Sequence, residues 1–178
     1  MSIFPCLIHH LPYNNKKLVN KMVRPLEDKL EYSLARRIFN SAVSFEGAAT
    51  LIERPIPKSP REYWWPVQPM IIGFVLALEL YLKCLLTIQG KEFRKVHKLS
   101  EFFAALEPIS QVEIAAKLGI SDLSLLSKKL SEHDSALVEW RYIYEYNNKS
   151  LDSEFIKSFY RATKAYIKEN HAREINDA

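Results

Sequence analysis

The stretch from Pro69 to Gln89, PMIIGFVLALELYLKCLLTIQ, constrains the fold more than any other, because it is apolar on nearly every side. A helix of that kind has no face to give to water and must be enclosed by the rest of the chain. Only Glu79 and Lys83 carry charge within it, four residues apart with the acid N-terminal, the order that favours an ion pair across one turn. Pro69 suits a helix start and Gly90 a C-terminal stop. The length would also span a bilayer, but opposite charges at mid-span and polar flanking segments favour a core helix with no membrane role. Buried charges need partners, so Glu79 and Lys83 are read as a structural ion pair.

A chain of 178 residues with 48% hydrophobic composition can build one good core. Four glycines and little strand-like alternation point to an all-α protein, an up-and-down bundle of about five main helices occupying residues 25–169. An irregular arm is expected over 1–24 and a frayed tail over 170–178. Cys6 and Cys84 lie far apart, which leaves neither a disulfide framework nor a zinc quartet. Cys6 with His9 and His10 still lacks a fourth ligand, so no metal or cofactor is expected. Without a basic region before the first apolar run there is no signal-peptide pattern, and a reducing, cytoplasmic setting follows.

In chain order, a long amphipathic helix is expected from Pro25 to Pro55, with Leu26, Leu30, Leu34, Ile38, Phe45, Ala49 and Ile52 as its apolar row and Gly47, Ala48 and Ala49 as a close-approach site. The proline-marked stretch 54–66 ends in Tyr63, Trp64 and Trp65, read as closing one end of the core. The connection KEFRKVHK over 91–98 is basic and carries His97. Leu99, Phe102, Phe103 and Leu106 then make a short helix stopped by Pro108.

Residues 110–130 begin like a helix-turn-helix, with Ile114, Ala115, Leu118, Gly119 and Ile120 in the expected places. The second half offers Leu123, Leu125 and Leu126 where base-reading side chains belong, so it is read as an inward-facing helix capped by Ser121 or Asp122 and continuing to Asn148. On that continuation Trp140 and Tyr144, and Arg141 and Glu145, stand one turn apart. A last helix, Ser153 to Glu169, buries Phe155, Phe159, Ala162 and Tyr166 and aligns Lys157, Arg161, Lys164 and Lys168 in a basic row, the candidate phosphate-contacting stripe.

Ser44-Phe45-Glu46-Gly47-Ala48-Ala49, Ala77-Leu78-Glu79-Leu80-Tyr81-Leu82-Lys83, the connection from Gly90 to Leu99, and Glu139-Trp140-Arg141-Tyr142-Ile143-Tyr144-Glu145 together resemble the HEPN superfamily over about residues 39–169. The resemblance implies a helical bundle that pairs as a homodimer with a cleft at the interface, and a role in RNA cleavage, nucleotide binding, toxin–antitoxin pairing or phage defence. In catalytic members an Arg is followed, after four to six intervening residues, by a His. Arg141 fits the Arg, but Tyr146, Asn147 and Asn148 fill the His positions, and asparagine cannot exchange a proton near neutral pH. The expected function is therefore RNA or nucleotide binding without ribonuclease activity, with Arg141, Tyr144, Asn147 and the basic row as contacts. One alternative is a metal-independent endoribonuclease using Arg141, His97, His133 and Glu145. Others are a helix-turn-helix DNA binder using 111–130 and an interaction module with an antitoxin-like partner.

Overall fold

The computed structural model describes residues 32–53, 67–93, 96–143 and 151–176. The N-terminal arm with Cys6, His9 and His10, the proline-marked loop with Trp64 and Trp65, and Tyr144, Glu145 and Asn147 lie outside these residues. The described chain is an all-α helical bundle: α1 (Leu34–Glu53), α2 (Val67–Ile88), α3 (Leu99–Ala104), α4 (Pro108–Lys117), α5 (Leu123–Ser131), α6 (Ala136–Arg141), α7 (Ser153–Asn170) and α8 (Ala172–Ile175).

Helix α2 is the axis, buried on several sides from Ile71 to Leu86. Among the described residues it is the helix long and apolar enough to cross a membrane, and 67% of its most apolar window is buried inside the bundle. Gly90, at φ +65°, ends it in the left-handed conformation that glycine adopts without strain.

Helix α1 does not run on from Pro25. It begins at Leu34, where the Ser33 hydroxyl accepts from the amide of Arg36 and caps the first turn. Its buried face is Ala35, Phe39, Ala42 and Ala49, while Leu34 and Phe45 of the expected apolar row are exposed. The reason lies in α2: a Cβ placed on Gly73 would stand 2.9 Å from the Ala49 Cβ. At that crossing the two backbones lie too close for a large side chain, so alanine faces α2 there and Phe45 is displaced to the edge, while Phe39 is accommodated further along against Tyr81.

The described part of the helix expected from Ser121 to Asn148, which runs to Ile143, holds two helices. Asp122 caps α5 by accepting from the amides of Ser124 and Leu125. The chain then turns at Glu132–Ser135, because Asp134 is drawn off to accept from the amide and hydroxyl of Ser100 on α3. Of the three leucines expected to point inward, Leu126 is fully buried, Leu123 half-buried and Leu125 56% exposed.

Helix α7 buries Phe155, Phe159, Ala162 and Tyr166, together with Ile156, Tyr160, Thr163 and Ile167. Its basic residues enter two layers spaced by one heptad. In the first, Lys157 on α7 reaches Glu53 on α1 at 2.5 Å, with its ammonium 5.9 Å from the Phe74 ring centroid on α2. In the second, Lys164 meets Glu46 on α1 at 2.7 Å, and the buried Tyr81 hydroxyl donates to the same carboxylate at 2.5 Å. Tyr160 stacks between the layers, 5.7 Å from Phe74 and 6.4 Å from Tyr81. These pairings run α2 antiparallel to α1 and parallel to α7. Burial and the Glu46 carboxylate push the Tyr81 hydroxyl well above its ordinary pKa. The C-terminal stretch is not frayed from residue 170: α8 seats Ile175 in the core, and the Ser33 hydroxyl donates to the Glu174 carbonyl.

Candidate functional site

Glu79 lies on the inner side of α2 with 3% of its side chain exposed, and a carboxylate so placed must be matched by donors. Lys83, one turn on, gives its ammonium to Oε1 at 2.6 Å. The second donor arrives from the connection after α2: His97 Nδ1 stands 2.9 Å from Oε2 and 3.1 Å from Oε1. Lys83 also lies 4.9 Å and 5.5 Å from the ring centroids of Phe102 and Phe93, so its charge rests on aromatic faces as well as on the carboxylate. The His97 side chain is 47% exposed. A carboxylate on Nδ1 fixes the ring and its tautomer and leaves Nε2 to take or give a proton, or to donate to an anion. Four basic residues crowd the eight-residue connection that carries it: Lys91, Arg94, Lys95 and Lys98.

Arg141 is placed elsewhere. It is exposed at the end of α6, its guanidinium 5.5 Å from the Tyr142 ring centroid, and its carbonyl accepts from Gln68 at the start of α2. Gln68 and Glu79 are eleven residues apart on one helix, about 16 Å along its axis, so one chain does not bring Arg141 to the His97 cluster. His133, the other candidate proton carrier, is buried in the turn before α6, with its ring 5.5 Å from that of Phe155 and its Nε2 without a hydrogen-bond partner.

The basic row of α7 is not a solvated stripe. Lys157 is buried between Glu53 and Glu154; burial works to lower its pKa, but the hydrogen bonds to these carboxylates outweigh that and raise it. Lys164 is held by Glu46, which leaves Arg161 and Lys168 as the exposed members. In the helix-turn-helix segment, α5 would present Leu125 and the carboxylate of Asp122, kept ionised by hydrogen bonds from Ser124 and Leu125, to a nucleic acid. Neither suits base reading.

The sequence pairs Glu79 with Lys83 by their spacing, but no local signal attaches His97, eighteen residues on, to Glu79. The signal that existed was an unbalanced one, a buried acid followed by a histidine in the next connection. Among the described residues, no group of three or more His, Cys, Asp or Glu side chains could hold a metal ion. No family model, curated protein or solved structure matches the chain.

Proposed function

We propose that the protein is a HEPN-like homodimeric domain that binds RNA or a nucleotide, meets ligand phosphate at His97 and the basic connection around it, and leaves the strand uncut. The observation that supports this reading best is the grip of buried Glu79 on a half-exposed histidine in a segment rich in lysine and arginine. An imidazole oriented in advance donates to a phosphate oxygen with little ordering cost. Cleavage needs a phosphate-holding group and a proton carrier on the same phosphodiester, and the anchor of Arg141 lies about 16 Å along α2 from that of His97. What the resemblance implies for such a binder is a toxin–antitoxin or defence role, with an antitoxin-like protein as a second partner.

A ribonuclease reading draws on the same contact, since a carboxylate-held histidine is equipped for proton transfer. Titrating fluorescent single-stranded RNA at several salt concentrations, with the products run on a denaturing gel, separates the two. A binder gives intact RNA and a salt slope of about 0.7 per phosphate engaged, and His97→Ala weakens binding. Cleavage by the wild-type protein that His97→Ala abolishes transfers the assignment to the ribonuclease. Absence of binding at low salt removes both and favours the interaction module.

A further inference from the structure

A concavity of about 500 Å³ is lined by residues of α1 and α7 and by the end of α8, and includes none of the His97 cluster. That volume suits a small ligand. Phe39, Val43 and Ile175 give it an apolar floor, and Asn40, Asn176 and Lys168 form its polar rim, with Lys164 at the edge. The floor is firm: Phe39 sits edge-on to Tyr81 with ring centroids 5.5 Å apart, and Ile175 is 5% exposed.

The polar groups are unequally committed. Lys164 is taken by both carboxylate oxygens of Glu46, at 2.7 Å and 3.0 Å, so that pair is neutral. Lys168, one turn further along α7, has no carboxylate partner among the described residues, and neither do the side-chain amides of Asn40 and Asn176 make a hydrogen bond there. One surplus ammonium and two amides therefore stand beside apolar surface. A cation would meet Lys168 unfavourably, and a neutral apolar molecule would leave the rim unused.

We propose that this cleft binds a small amphiphilic anion, with an alkyl or aryl body on Phe39, Val43 and Ile175 and a carboxylate or phosphate head on Lys168 and the two amides. The test is calorimetric titration of the full chain with hexanoate, hexyl phosphate, uncharged hexanol and inorganic phosphate. One of the two amphiphilic anions saturates at one per chain, the tighter identifying the head group, while hexanol and inorganic phosphate bind at least about tenfold more weakly. Lys168→Ala weakens the anion by about tenfold, the loss of one charge-assisted contact at an open site. Val43→Glu abolishes binding by placing a carboxylate over the floor. Both positions are exposed, and unchanged melting curves verify that the variants fold. RNA affinity unaltered in Val43→Glu keeps this site distinct from the one at His97. Equal binding of hexanol and the anions, no saturation into the millimolar range, or anion affinity indifferent to both substitutions overturns the proposal.

Discussion

Replacing Glu79 by alanine tests whether the centre of the bundle is organised by charge. The carboxylate is 3% exposed and Lys83 only 14%, so the substitution strands an ammonium that is largely withdrawn from water. Removing one member of a buried pair costs about 3–5 kcal/mol. Two features place Glu79→Ala near the lower end, at about 3 kcal/mol: the Phe93 and Phe102 rings still face the Lys83 ammonium, and its stem can lift toward solvent. His97 adds little, because a half-exposed ring regains water. Urea unfolding should show a lower midpoint with an unchanged slope. The sharper arm is Glu79→Ala with Lys83→Met, which removes the stranded charge as well and should recover more than half of the loss. A single-variant loss below about 1.5 kcal/mol, half of the stranded-charge cost, or a double variant no more stable than the single, would refute the reasoning.

Two further outcomes rest on local geometry. Gly73→Ala should destabilise by about 1 kcal/mol or more, since its Cβ would meet Ala49 Cβ at 2.9 Å and the Phe45 carbonyl at 3.3 Å, whereas Gly47→Ala, with nothing within 4 Å, should stabilise by about 0.5–1 kcal/mol. Thermal melts decide it, and a rise in both would remove close approach as the explanation for the alanine face. Asp152→Ala should cost about 1 kcal/mol at neutral pH through loss of the α7 cap. The Phe155 amide and Lys129 hold the Asp152 carboxyl below the usual aspartate range. A lowered folded-state pKa gives stability that is present above the ordinary value and lost as pH falls through the lowered one, so the variant's deficit should shrink below about pH 4. A deficit unchanged under acid in urea titrations would show that the charge contributes nothing.

The parts of the fold legible in the sequence are those decided locally. The all-round apolarity of α2, the inward face of α7 and the caps at Asp122 and Gly90 all follow from residue type and spacing. The face of α1 was not legible by hydrophobicity, because at its closest point Ala49 is selected by its small size opposite Gly73, a property of the neighbour. The break between α5 and α6 turns on Asp134 finding Ser100, thirty-four residues away. At the candidate site, periodicity describes Lys157 and Lys164 as a basic stripe and cannot reveal that carboxylates of α1 have taken them. His97 joins Glu79 only when the chain doubles back after Gly90.

The two layers that tie α7 across α2 to α1 also bear on how the chain chooses among near-equivalent alignments. Basic residues recur on α7 at 157, 161, 164 and 168, so electrostatics alone would accept the helix advanced by one turn, with Arg161 on Glu53 and Lys168 on Glu46. Such a code is degenerate. The slot between Phe74 and Tyr81 reads it unambiguously, because the same slip would replace Tyr160 by Lys164 and put an ammonium into the aromatic stack with its carboxylate already occupied. Charge therefore recruits the helix over a range of positions, and a single ring acts as the proofreader that admits one of them.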